Sequence, residues 1–146
     1  MALTYGVLGV LAICTVLFWS RRNLVVVTVE GTSMTPTMTH GDRVLVRRRR
    51  LRRVRIGDVV VLEPPLEGPF RTAAKAGADG RVWNVKRVAA LPGDPVPPEI
   101  PGGGQMSQGT LAVLGDNRDD SIDSRHRGPF PAERLMGVVV CKLSPR

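Results

Sequence analysis

The chain has 146 residues, with 21 lysines and arginines against 13 aspartates and glutamates, for a formal charge of +8. That length holds one domain with a modest core and excludes large multidomain architectures. A hydrophobic share of 42% argues against disorder, and aromatics at 4% are too few for a base-stacking nucleic-acid module despite the charge.

Residues 1–20 carry no charged side chain, and Leu3 to Trp19 read LTYGVLGVLAICTVLFW. About 18 residues at ~1.5 Å rise give roughly 27 Å, just short of a hydrocarbon core of about 30 Å. Trp19 followed by Arg21 and Arg22 suits the interface at the end of a membrane helix. A cleaved leader would carry a basic start, a shorter apolar run and an A-x-A-like site, none of which is present. The expectation is a transmembrane anchor over 1–20 and one domain over 21–146. The arginines after the segment would, by the positive-inside rule, hold that domain in the cytoplasm, although long domains translocate regardless of charge.

Beyond the anchor the chain reads as short β-branched runs. These are Leu24–Val29, Arg43–Val46, Asp58–Leu62, Val82–Ala89, Leu111–Leu114 and Met136–Cys141, separated by Gly-Asp, Pro and Gly clusters. The pattern predicts a mostly β fold after one N-terminal helix. Residues 63–80 and 95–109 are rich in Pro and Gly and read as surface loops. Arg47 to Arg55 holds seven arginines in nine residues. It fits a solvated basic loop, contact with the anionic headgroups of a bilayer, or nucleic acid. The anchor and the scarcity of aromatics disfavour nucleic acid as a partner.

Cys14 lies in the apolar segment and Cys141 near the far end, so they are not expected to pair. Two cysteines and two histidines, His40 and His126, scattered singly, make no zinc-type spacing. No metal and no cofactor is expected.

Three places hold candidate chemistry. Ser33 stands in a Gly/Pro turn after a strand, within Glu30-Gly-Thr-Ser-Met-Thr-Pro-Thr37. A serine hydroxyl needs a base to attack anything, and otherwise is a turn residue. Ser33, Asp123 and His126 follow the order of a hydrolase triad, but no G-x-S-x-G elbow is present. Lysine is the other option, if burial keeps its amine neutral. Arginine supplies 18 of the 21 basic residues, which leaves Lys75, Lys86 and Lys142. Lys75 lies in a Gly/Ala loop and Lys142 near the chain end. Lys86 lies mid-strand, on one face with Val82, Asn84 and Val88 by period two. It reads equally as a partly desolvated base or as an edge-strand gatekeeper. The third place is the polar run Gly115 to Gly128, where an Asp123–Arg125 ion pair could fix Ser121. Its interleaved arginines oppose a Ca²⁺ loop.

Four stretches together resemble the type I signal peptidases. They are Gly31-Thr-Ser-Met-Thr-Pro-Thr37 with Gly41-Asp-Arg-Val-Leu-Val46, then Gly57-Asp-Val-Val-Val61, then Lys86-Arg-Val-Ala-Ala-Leu-Pro-Gly-Asp94, and Gly115-Asp-Asn-Arg-Asp-Asp-Ser-Ile-Asp-Ser-Arg125. They stand in the family's order behind a membrane segment. The resemblance implies a mostly β, signal-peptidase-like catalytic core bound to the membrane surface outside the cytoplasm. It implies Ser33 as nucleophile and Lys86 as general base. Ser121 would orient the amine, Asp123 and Arg125 would support it, and Met34 would pack beside the nucleophile. The Ser33 backbone N–H would be an oxyanion donor. Gly31 stands where some members carry a serine hydroxyl as a second donor, which leaves Thr32 or water for that role. Substrates would be preproteins with small residues one and three positions before the cut. Larger members insert a second β-subdomain before the last motif, where this chain has about 20 residues, so it resembles a minimal member. Small relatives also resemble dedicated maturation peptidases that remove the leader of one client, as for nickel superoxide dismutase. Such a role would agree with a cytoplasmic active site.

Overall fold

A computed structural model describes residues 2–65 and 82–143. The chain begins with helix α1, Ala2–Asn23. Its 22 residues give about 33 Å of helix, longer than the uncharged stretch alone and enough to cross a bilayer core. The described side chains of its apolar part are exposed, including Tyr5, Leu8, Ile13 and Phe18. Among the described residues nothing covers this surface of the helix. At its end Arg22 lies over the Phe18 ring, 5.2 Å from the centroid, and Arg47 lies over the Trp19 ring at the same distance.

The rest is one curled antiparallel sheet. Its strands are β1 Leu24–Thr28, β2 Arg43–Arg48, β3 Val59–Leu62, β4 Asn84–Ala90, β5 Thr110–Leu114, β6 Phe130–Pro131 and β7 Leu135–Leu143. Across the sheet they run β1-β2-β7-β3-β4-β5-β6. The mostly β reading therefore holds, and the strands follow the β-branched runs. The last long strand, β7, is inserted between β2 and β3. Gly137 permits this, because a Cβ there would lie 2.7 Å from the Arg47 carbonyl carbon.

Register shifts interrupt β2, β3 and β4 at Leu45/Val46, Val61/Leu62 and Val88/Ala90. Such irregularities raise local twist and let a sheet curl over its own core. Alternation along β3 divides the core. Val60 and Leu62 join Val54, Val88, Leu111, Val113 and Phe130 on one side, and Val61 joins Val29, Met34, Met38, Val44 and Val46 on the other. Burial on both faces is why β3 is a continuous apolar run rather than an alternating one. The two-residue β6 carries no run that sequence could reveal, yet it places Phe130, wholly buried, opposite Leu111. Burying such a side chain contributes about 1.5–3 kcal/mol.

The stretch 95–109 departs from a plain surface loop. Pro95 bridges Gln105, and Ile100 and Met106 are buried against Ala90 and Ala112 in a third cluster. The small side chain of Ala90 leaves room that Ile100 and Met106 fill. The Pro/Gly-rich stretch 63–80 falls mostly outside the described residues, as does Lys75.

Lys142 acquires a partner that its place near the chain end did not suggest. Because β7 lies beside β2, its ammonium reaches Asp42 Oδ2 at 2.6 Å, and the Thr39 backbone N–H donates to the same oxygen at 2.7 Å. The Lys142 ammonium, with the Thr39 amide, holds the Asp42 carboxyl below the usual carboxylate range. Cys14 and Cys141 are both free and exposed.

Candidate active site

Lys86 is the third residue of β4. It lies opposite Val60 of β3 and is only 4% exposed. Burial disfavours the charged amine most strongly. The Asp123 carboxylate opposes that effect, and the Arg127 and Arg125 guanidiniums reinforce it, leaving the amine lowered to about 8. Lys86 Nζ donates to Ser121 Oγ at 3.1 Å. Ser121 Oγ in turn donates to Asp123 Oδ2 at 2.9 Å.

Asp123 is fully buried and collects further donors. The Gly115 N–H reaches Oδ2 at 2.8 Å, and Arg125 Nε reaches Oδ1 at 2.9 Å with Nη2 on Oδ2 at 3.0 Å. Burial pushes this carboxyl up, but the hydrogen bonds from Arg125, Gly115 and Ser121 outweigh it and hold the group below its ordinary value. Asp123 also caps the short helix α2, Ser124–Arg127, by accepting the Arg125 N–H. The polar run therefore folds around one buried carboxylate, which fixes the Ser121 hydroxyl as acceptor for the lysine.

Ser33 belongs to a turn that follows β1, closed by Thr35 N–H to Thr32 O at 3.0 Å and Met38 N–H to Met34 O at 2.9 Å. Met34, 1% exposed, roots the turn in the core beside Val29 and Val61. Asn117 joins this turn to the polar run. Its backbone N–H donates to Ser33 O at 3.0 Å and its side-chain amide to Thr32 O at 3.2 Å. Thr32 Oγ1 donates to Asp120. The Ser33 N–H has no hydrogen-bond partner among the described residues.

Ser33, Lys86, Ser121 and Arg125 line one cleft of about 440 Å³, with His126 and Ile122 also on its wall. His126 Nδ1 lies 3.9 Å from Asp123 Oδ1, an oxygen already held by Arg125. Among the described residues no group of three or more His, Cys, Asp or Glu side chains gathers as a metal ligand set.

In the sequence Gly115 is only one residue of a polar motif, but in the fold it is where the two halves of the site touch. A Cβ there would lie 2.5 Å from Ser121 Cβ and 2.6 Å from the Ser33 carbonyl oxygen. Gly115→Ala is therefore expected to push the Ser33 turn off the Ser121 loop and lower turnover by about 10²-fold, as misplacement of about 1 Å does. Cleavage kinetics beside a melting curve measure it. Turnover within threefold of the parent would contradict this close approach.

The sequence as a whole is similar to known proteins. The family model for signal peptidase, peptidase S26, matches residues 2–101 and 97–143. The chain belongs to this family. Signal peptidase I V of Bacillus subtilis (strain 168) is 27% identical over 135 residues, covering 76% of this chain and 80% of the relative. Thylakoidal processing peptidase 1 of Arabidopsis thaliana is 29% identical over 80% of this chain, which spans 41% of that longer protein. Mitochondrial inner membrane protease subunit 1 of Mus musculus is 30% identical, covering 82% of the chain and 69% of the relative. The protein is thus a peptidase of the signal peptidase type. The single-client maturation alternative gains no support from these relatives.

Proposed function

We propose that this protein is a membrane-anchored serine endopeptidase that removes N-terminal signal peptides from exported preproteins, with Ser33 as nucleophile and Lys86 as general base. The observation that carries the reading is a buried lysine, lowered to about 8 and held by Ser121, facing the cleft that Ser33 also lines. A neutral amine that donates one hydrogen to Ser121 keeps its lone pair for the Ser33 proton.

Lys86 takes the Ser33 Oγ proton as the oxygen attacks the scissile carbonyl carbon. The oxyanion that forms is stabilised by the Ser33 N–H, which has no partner among the described residues and is a preorganised donor of the kind worth about 10²–10³ in rate. The Lys86 ammonium returns its proton to the departing amine, and the signal-peptide acyl group stays on Ser33. Water, deprotonated by Lys86, then releases it. Asp123 and Arg125 act on the amine through Ser121.

The proposed substrates carry small residues before the cut, and the proposed setting is a single-pass position in the plasma membrane with the sheet outside the cytoplasm. Support for the anchor is α1, apolar and long enough to span. The test is a panel of preproteins offered to sealed right-side-out and inside-out vesicles, with the cut site read by mass spectrometry. Cleavage after a small residue, by right-side-out vesicles alone, is expected. Cleavage by inside-out vesicles alone would reverse the orientation, and no cleavage of any preprotein would remove the signal-peptidase activity.

A further inference from the structure

The arginine run is unused by the proposed chemistry, and the fold gives it a shape. After β2 the chain turns through a single 3-10 turn, Leu51–Arg53, closed by Arg53 N–H to Arg50 O and Val54 N–H to Leu51 O, both 2.9 Å. Leu51 and Val54 face the core, which leaves the alternating arginines outside. Arg49, Arg52, Arg53 and Arg55 then line one cavity of about 550 Å³, with Val54 and Val138. Asp58 is the one acid on that wall, and its carboxylate already accepts the Arg55 N–H at 2.9 Å.

The position of this cavity decides what could fill it. Leu24, the first residue of β1 after α1, pairs with Arg47, and the Arg47 guanidinium covers the Trp19 ring near the end of the apolar helix. The arginines therefore leave the sheet at the level where α1 ends. Ile56, beside Arg55, is 58% exposed, an apolar residue that water does not favour and a bilayer interface does. A concave group of guanidiniums, with an exposed aliphatic next in sequence to Arg55, suits a ligand with a phosphate next to hydrocarbon.

We propose that Arg49, Arg52, Arg53 and Arg55 form a binding site for the phosphate-bearing headgroup of an anionic phospholipid in the membrane that carries α1. This rests on α1 as an anchor and not on the Ser33–Lys86 chemistry. Each arginine near an anionic surface favours association by about fivefold. Together with α1 the headgroup gives the sheet a second point of attachment to the bilayer.

The test uses the full chain in phosphatidylcholine nanodiscs carrying a trace of phosphatidylglycerol with a photoreactive headgroup. Crosslinks mapped by mass spectrometry should fall within residues 49–58 and be competed by unlabelled phosphatidylglycerol, not by more phosphatidylcholine. The fourfold Arg→Gln variant at these positions should lose at least fivefold of the labelling while still cleaving a short soluble peptide at the parent rate. The fourfold Arg→Lys variant should keep part of it, because lysine supplies charge without the guanidinium fork. Ser33→Ala should label like the parent, which separates this site from the proposed catalysis. Three outcomes would overturn the proposal: labelling spread along the chain, equal labelling of the Arg→Gln variant, or displacement by single-stranded DNA or millimolar inorganic phosphate in preference to phosphatidylglycerol.

Discussion

Ser33→Ala is expected to lower kcat/KM for preprotein cleavage by about 10⁴-fold or more, with the fold intact. The nucleophile provides the covalent route, and what survives its loss is the smaller contribution of binding and oxyanion stabilisation. Ser33 is half-buried on a turn whose anchoring belongs to other atoms: its own carbonyl bonded to Asn117, and Met34 in the core. Removing one hydroxyl oxygen leaves all of these in place, so a change in stability beyond about 0.5 kcal/mol is not expected. Rates with purified protein and a cleavable preprotein, beside a far-ultraviolet melting curve, measure both quantities. Retention of a tenth of the activity would remove Ser33 from the nucleophile role.

Much of the fold was legible because the strands declare themselves chemically. Val59–Leu62 has no alternation, and it proves to be the strand buried on both faces. On β4, Lys86, Val88 and Ala90 share the buried face at period two, as the alternation from Val82 onward implied. What period and propensity cannot supply is pairing between distant strands. The insertion of β7 between β2 and β3 is non-local, so Lys142 looked like a tail residue although it neutralises Asp42. Ile100 and Met106 were hidden for another reason: each is a lone apolar residue among Pro and Gly, with no periodic neighbours to reveal a buried face.

The candidate site divides along the same line. The rarity of lysine and its place mid-strand pointed to Lys86, and the density of paired charge pointed to the run from Gly115 to Gly128. Neither could reveal that Asn117 carries the contact between that run and the Ser33 turn, or that Gly115 is glycine because Ser121 and the Ser33 carbonyl occupy the space of a side chain. These contacts depend on β4 and β5 pairing at Arg87 and Leu114, which brings the loop after β5 across the end of β4. Thr32 illustrates the same point: the sequence shows a hydroxyl beside Ser33, and only the fold pairs it with Asp120.

Lys86→Met is expected to abolish cleavage and yet raise thermal stability at neutral pH. The lysine is lowered to about 8 in the folded protein against an ordinary 10.5, with burial as the main cause. The unfolded chain therefore keeps a proton on this amine that the folded chain gives up between these two values. Across that window the unfolded state binds more protons, so stability rises with pH. Below about pH 8 the full cost of burying the ammonium is present, about 3 kcal/mol. Methionine removes that cost and loses only the hydrogen bond to Ser121, worth about 1 kcal/mol, for a net gain of about 2 kcal/mol at pH 7. The gain should shrink as pH rises from about 8 through 10.5, above which the parent amine is neutral in both states. Melting curves of parent and variant at pH 7 and pH 10 test the sign. A variant that melts below the parent at pH 7 would mean that the amine is not held against its own charge. The same proton sets the activity profile of the parent, because only the neutral amine can accept from Ser33. Thus kcat/KM should rise with pH and level off above about 8. A profile that levels off near 6.5, the ordinary histidine value, would assign the base to a histidine instead.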